Sequence, residues 1–353
     1  MNAKKILSLA ASTIKFFIII LLFFSNSKAE EKNIKYYSAD KGILSLMYHR
    51  FNENKYPSTN IQSDIFQQQI AIIKRLKYNF YDPGDLEKNY NIPKNEKKIL
   101  ITIDDGFTSF YEFAWPYLKD NKIPFILFIS TEAIGKKGYM NWNQIREIEK
   151  EQNAYIGNHS HSHDYLVNFK KKDFIADINK ASKIFTNKLG YNPIFFSYPF
   201  GEYSGEIKEY ISKNFRFSFG QHSGVIDINK DRFELPRFPI NEKYGDLKRF
   251  KFLVNLEPLQ YKNILPIDKY ITNKNNPPLF SVEFFKNQKN LNNINCFSNE
   301  GDQWEKSKIF INKNKLNIKF RDKFIFRRGR INCSLNDEGV WRWFGVQFSI
   351  QQN

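Results

Sequence analysis

Cysteine is nearly absent from this sequence: 353 residues contain Cys296 and Cys333 alone, both in the last fifth of the chain. An even pair confined to one end reads as a single structural disulfide rather than a catalytic thiol, provided the chain meets an oxidising compartment. Long apolar runs are as scarce. After the first stretch none approaches the ~20 residues of a membrane-spanning helix, so the body reads as soluble. There is no internal repeat, and the positive charge lacks a pattern. The formal net charge is +17, but Lys, Asn, Ile and Phe are abundant throughout, as a compositional bias would make them, and no basic face stands out. Nucleic acid is therefore not expected as a partner.

What is present begins at the N-terminus. Lys4 and Lys5 precede an unbroken apolar run over 16–24, and Ser27-Lys28-Ala29 offers small residues at the two cleavage-site positions. That order describes a signal peptide over 1–29, with a mature chain starting near Glu30. The alternative is a retained anchor, which would be the only contact with a membrane; the run is short for a span and Lys15 interrupts its extension. Export to the periplasm or the exterior would supply the oxidising surroundings for a Cys296–Cys333 bridge. A basic exported protein is also drawn to anionic envelope polymers.

At roughly 100–200 residues per domain, the length accommodates one large domain and a smaller one. From residue 42 a short apolar run, a loop and an amphipathic stretch recur, the rhythm of βα units around a parallel sheet or barrel. Strands are expected at 42–48, 99–103, 125–129, 155–156, 194–198 and 215–219. One helix is expected from Ser63, as N-cap, with Phe66, Ile70 and Ile73 on one face; another carries Phe174, Ile178, Ala181, Phe185 and Leu189. After about residue 255 helical periodicity fades. Segments at 279–285, 308–311 and 341–350 alternate with turn-rich connectors such as 273–276, predicting a small β-rich module over 256–353, or else an extension of the first domain.

Each strand of the first domain runs into residues able to do chemistry, and catalytic groups of parallel α/β folds gather at C-terminal strand ends. The strand at 99–103 leads into Asp104-Asp105-Gly106, and that at 155–156 into Gly157-Asn158-His159-Ser160-His161-Ser162-His163. The strand at 194–198 leads into Pro199-Phe200-Gly201, and His49 closes the first strand. His159 and His163 are four apart, so one helical turn would face both imidazoles the same way with His161 turned aside. A carboxylate from a neighbouring strand end would complete a two-His, one-carboxylate metal site. Adjacent Asp104 and Asp105 diverge, so one can bind a metal while the other meets substrate. Taken singly, each feature also has a bland reading, a capping Asp and a solvated His-rich loop.

Taken together they resemble the polysaccharide deacetylase family. Thr102-Ile103-Asp104-Asp105-Gly106 looks like its first motif, His159-Ser160-His161-Ser162-His163 its H-[ST]-x-x-H motif, and Phe196-Ser197-Tyr198-Pro199-Phe200-Gly201 its third. Leu46-Met47-Tyr48-His49-Arg50, Met140-Asn141-Trp142-Asn143 and Leu235-Pro236-Arg237 stand in family order, so the resemblance spans about 42–245. It implies an α/β fold, a distorted (β/α) barrel, as the catalytic domain over 30–255. It also implies a metal-dependent hydrolase that removes N-acetyl groups from an N-acetylated cell-envelope or extracellular polysaccharide. Carried over residue by residue, it makes Asp105, His159 and His163 ligands of one divalent ion (Zn, Co, Ni or Fe). Asp104 becomes the general base, and the backbone N–H of Phe200 stabilises the oxyanion where the family often has Tyr.

Two departures matter. The third motif commonly carries an Arg that orients the base; Ser197 stands there, and Arg237 is the expected substitute. The late Leu-x-His motif that supplies the general acid is not evident. The pattern is closest to the poly-N-acetylglucosamine deacetylases, whose order is permuted and whose acid comes from a Tyr-His pair on the first strand, here His49; the bland reading is a core-edge histidine satisfied by backbone. His222 is the reserve acid. Trp142 is expected as a wall of the sugar groove or as packing. Trp341 and Trp343, two apart on one strand, suit either glycan binding or the core of a small sandwich. A catalytically silent glycan-binding relative, or a hydrolase of another amide or ester on the same metal site, are the competing functions. The oligomeric state is not expressed in the sequence.

Overall fold

The computed structural model describes residues 40–352; the expected signal segment over 1–29 lies outside them. Six parallel strands form the heart of the sheet that spans residues 43–239: β1 (Ile43–Tyr48), β2 (Lys98–Ile103), β3 (Phe125–Ile129), β4 (Ala154–Asn158), β5 (Phe195–Ser197) and β6 (Phe217–Phe219). They lie side by side in chain order in one curled sheet. Every residue of β1 and β3 is buried, as continuous Ile, Leu and Phe demand of strands covered on both faces. The last two strands are shorter than their apolar runs: Ile194 is exposed at the start of one, and Phe215 caps the helix that precedes the other.

The sheet curls until its two edges share a neighbour. Leu235 bridges Phe219 of β6 in parallel, and three residues later a two-residue strand, Phe238–Pro239, pairs with Leu46 and Met47 of β1. The segment 235–239 therefore stitches the last strand to the first and carries Arg237 inside the curl.

Helices cover the outer face. The helix α1 (Ser63–Arg75) buries Phe66, Ile70 and Ile73 against the core, the stripe its 3.6-residue period requires. Its N-cap is Gln62 rather than Ser63, whose hydroxyl accepts a hydrogen bond from Asn52 instead. The helix α2 (Trp142–Glu149) starts in an Asn141–Gln144 capping box. The helix α3 (Lys171–Leu189) buries Phe174, Ile178, Ala181 and Phe185 and ends at Gly190 in the left-handed region. No helix among the described residues is long and apolar enough to cross a membrane.

Beyond residue 256 a second core, from Leu259 to Ile350, is built by strands. One sheet contains a long hairpin of Arg328–Asp337 and Val340–Ile350; the other contains Phe280–Glu283, Lys308–Asn312 and Lys315–Lys319. The connector expected at 273–276 contains a 3-10 turn, Asn273–Asn275, under a Thr272 cap. Cys296 and Cys333 face each other across adjacent antiparallel strands and are bonded, with Cα atoms 4.1 Å apart. The long hairpin packs against the parallel-sheet part of the chain: Gln347 donates to the Phe200 carbonyl (3.0 Å), Ser349 accepts from the Tyr203 N–H (3.2 Å), and Trp343 packs near Phe238.

Candidate active site

The strand ends bring four groups together. Asp105 Oδ1 lies 3.5 Å from His159 Nε2 and 3.1 Å from His163 Nε2, and Asp104 Oδ2 lies 3.8 Å from His159 Nε2. The ligand atoms of Asp105, His159 and His163 all fall within 4.8 Å of one another.

The loop that achieves this is not the helical turn expected of His159 and His163. Residues 159–163 form no helix, and Ser160 (φ 67°) and His163 (φ 56°) both adopt left-handed backbone. Asp177 on α3 pins the loop by accepting from the His161 and Ser162 N–H groups at 2.8 and 3.0 Å. His161 does turn away, and pairs with Thr131 at 2.8 Å. Asp105 (φ 76°) and Phe200 (φ 59°) are left-handed too. Such non-glycine conformations cost on the order of 1–3 kcal/mol each and persist where their surroundings fix them, commonly at functional sites. Gly106 is needed where it stands: its φ is 80°, and a Cβ would sit 2.9 Å from Ile129 Cγ2.

The tautomer of His159 follows from its neighbour. Nδ1 is 2.7 Å from the Ser197 carbonyl, which can only accept, so Nδ1 carries the proton and Nε2 presents a lone pair to Asp105. Buried His159 Nε2 and Asp105 Oδ1 have no hydrogen-bond partner. Two imidazoles and a carboxylate with unsatisfied lone pairs turned toward one point fit a divalent cation, whose charge would satisfy both at once. Burial pushes Asp105 up, but His159 and His163 outweigh it and hold the carboxyl well below its usual range. His163, although burial works against its charge, is raised by Asp105.

Asp104 is held from behind. Both Asp104 and Arg237 are fully buried, and the guanidinium donates from Nη1 to Oδ1 at 2.6 Å and from Nη2 to Oδ2 at 2.8 Å. The same fork donates to Ser197 Oγ at 2.8 Å and to Thr102 Oγ1 at 3.2 Å, while Nε donates to the Gly220 carbonyl at 2.9 Å. Ser197, standing where an Arg was expected, thus hydrogen-bonds the Arg that arrives from the seam. Burial alone would raise Asp104; Arg237, then His159 and His49, bring it below its ordinary value.

His49 lies on the open side, its Nε2 4.0 Å from Asp104 Oδ2, with burial lowering its pKa against the pull of Asp105 and Asp104. His222 is elsewhere: it lines a smaller cavity with Glu234, Tyr261 and Lys269, and burial pushes it down to about 4. Trp142 is not a groove wall. It packs edge-on against Phe185, 6.0 Å away, because it opens α2 over the α3 face.

A cavity of about 560 Å³ opens over the site, with Asp105, His163, His49 and Phe200 in its floor. Its far wall is one that sequence reasoning missed: Trp304, Trp343, Tyr244, Arg249, Arg328 and Arg330. Four of these six lie beyond residue 256, and Trp343 alone had a signal in the sequence, as half of the Trp341/Trp343 pair. Trp341 stays outside, 5.8 Å from Phe252.

Known proteins resemble this chain in sequence and fold. Residues 91–216 match the model of the family described as polysaccharide deacetylase. A poly-beta-1,6-N-acetyl-D-glucosamine N-deacetylase of Staphylococcus aureus is 24% identical over 242 residues, covering 60% of this chain and 82% of that one. The likeness to the polysaccharide deacetylase family is thus established over 91–216. The chain is a hydrolase of a carbon–nitrogen bond, a polysaccharide N-deacetylase. The putative polysaccharide deacetylase YxkH of Bacillus subtilis is 26% identical over 199 residues, 56% of this chain and 70% of its own. The fold is shared with IcaB from Ammonifex degensii (TM-score 0.54, 24% identity, 61% of this chain and 97% of that one). It is also shared with the Streptococcus pyogenes deacetylase PplD (TM-score 0.54, 20% identity, 58% and 95%). His49 and Arg237 fall outside the segment that matches the family model.

Proposed function

We propose that this deacetylase is exported and removes acetyl groups from N-acetylglucosamine units of a cell-envelope or extracellular polysaccharide, using Asp104 as general base and His49 as general acid. The observation that carries this is the pairing of two carboxylates with different surroundings: Asp105 faces two imidazoles and Asp104 is gripped by Arg237. Adjacent groups pushed into separate roles are the mark of an acid–base site.

Asp105, His159 and His163 would hold the divalent cation, with Zn, Co, Ni and Fe all compatible with two imidazoles and a carboxylate. When bound, the cation supplies Lewis-acid polarisation of the acetamide carbonyl and makes water more acidic. Asp104, kept charged and oriented by Arg237, accepts the proton of the attacking water. The Phe200 N–H, offered at a left-handed turn in the cavity floor, donates to the carbonyl oxygen as it gains charge. His49, 4.0 Å from Asp104 in the cavity floor, is the group placed to give a proton to the leaving amine. Trp304, Trp343 and Tyr244 offer aromatic faces on which pyranose rings stack.

Around this centre we place a catalytic domain over 30–255 and a β-rich module over 256–353. A leader over 1–29 would deliver the chain to the periplasm or the exterior. The Cys296–Cys333 bond supports an oxidising destination. The test is acetate release from N-acetylglucosamine oligomers by purified chain, stripped with chelator and then reloaded with each metal. Release that disappears on stripping and returns on reloading is expected. Silence of the reloaded chain would overturn the reading in favour of a glycan-binding relative.

A further inference from the structure

The wall of the groove carries more charge than deacetylation needs. Arg249, Arg328 and Arg330 all line it, and the one carboxylate in the lining is Asp105, which faces the imidazoles. Three arginines outside this wall that are buried or partly buried do have carboxylate partners: Arg237 has Asp104, Arg321 has Glu300, and Arg342 has Glu257 and Asp337. Arg330 and Arg249 have no carboxylate in ion-pairing range among the described residues. The Arg330 Nε donates to Gln347 Oε1 at 3.0 Å, and Arg249 lies 5.1 Å over the Tyr244 ring and donates to its carbonyl. Arg328 has a loose contact, 3.8 Å, with Glu202, which Arg327 already approaches at 3.3 Å.

These groups adjoin the reacting centre. The Phe200 ring lies 4.7 Å from that of His163, and the Arg328 guanidinium lies 5.8 Å from the centroid of the Phe200 ring. Gln347 accepts from Arg330 while donating to the Phe200 carbonyl, tying Arg330 to the loop that carries the oxyanion donor. Half-buried guanidiniums beside one another are costly. Burial, and then Arg328, push Arg330 down to about 10. An anion between them would offset that cost through charge-assisted, bidentate hydrogen bonds.

We propose that Arg249, Arg328 and Arg330 form a subsite for an acidic substituent, a carboxylate or a phosphate, carried by a sugar next to the one being deacetylated. The inference rests on the deacetylase reading above and narrows its substrate to acidic N-acetylated glycans. A plain glucosamine polymer becomes cationic as acetyl groups leave, and this wall repels it.

The experiment compares kcat/KM for acetate release by the metal-loaded full chain on three matched oligomers: neutral N-acetylglucosamine, the same bearing a carboxylate on the neighbouring sugar, and the same bearing a phosphate there. The wild type should favour one or both acidic oligomers by about tenfold or more, and the preference should shrink as ionic strength rises. The carboxylate and phosphate arms identify which acid is read. Arg330→Gln should bring the ratio close to one and Arg330→Glu should invert it. Arg327→Gln, whose guanidinium faces Glu202 and the Tyr165 ring, should leave the ratio as in wild type. Equal kcat/KM on all three oligomers with the wild type overturns the subsite while deacetylation stands. If no oligomer releases acetate, the deacetylase reading falls and the subsite with it.

Discussion

Arg237→Met is the most informative single perturbation of this site. The substitution removes two charge-assisted bonds to Asp104, of 2.6 and 2.8 Å, and leaves that carboxylate fully buried without a cation. Breaking one side of a buried ion pair costs about 3–5 kcal/mol of stability, and the Gly220 carbonyl and the Ser197 and Thr102 hydroxyls lose a partner as well. The effect on catalysis has a definite sign. Burial pushes Asp104 up and Arg237 is the largest influence holding it down; without Arg237 the base is protonated at higher pH. The acid limb of kcat/KM should therefore move upward in pH, with kcat lower by roughly 10²–10⁴-fold, the range for a positioned base. Arg237→Lys separates charge from geometry. A lysine keeps a cation near Asp104 and so keeps the limb close to its wild-type position, but it lacks the planar fork, so kcat still falls. The assay is acetate release against pH for the three metal-loaded proteins, with thermal unfolding alongside. A folded Arg237→Met protein with wild-type kcat and an unmoved acid limb would refute the assignment of Asp104 as a base held by Arg237.

His49→Ala should lower kcat by roughly 10²–10⁴-fold with metal content unchanged, while His222→Ala should do much less; the reverse order of effects would move the general acid to His222. Asp105→Asn and His163→Ala should each abolish stable metal loading, read by elemental analysis after dialysis, and retention of a full equivalent in both would remove them as ligands. His222, at about 4 in the fold against about 6.5 when unfolded, gives a stability prediction. Between these values the unfolded chain binds a proton that the folded chain refuses, so stability rises with pH across the window and is lost as pH falls from about 6.5 toward about 4. His222→Asn should flatten the dependence of Tm on pH there, and parallel curves for the two proteins would contradict the burial of a neutral imidazole.

The chemistry legible in the sequence was the chemistry written in short contiguous stretches. Asp104 and Asp105 follow a strand whose apolar run is plain, and His159 and His163 sit four apart behind another, so the parallel strands needed only to lie side by side for the groups to meet. Local pattern carried that information because a βα unit delivers its strand end to a fixed face of the sheet. The loop conformation was not legible: four apart suggested a helical turn, whereas left-handed backbone at Ser160 and His163 and the Asp177 carboxylate set the geometry. Arg237 was expected to orient the base only as a substitute suggested by the family resemblance, and nothing local in the sequence showed how it would reach Asp104. It stands 133 residues from Asp104 and reaches it because the segment 235–239 closes the seam between the last strand and the first, a consequence of how far the sheet curls. Least visible was the wall of Trp304, Arg328 and Arg330. Arg328 and Arg330, two apart on one strand, and Trp304, in a loop, read as ordinary surface until the long hairpin packs on the Phe200 loop and all three line the groove.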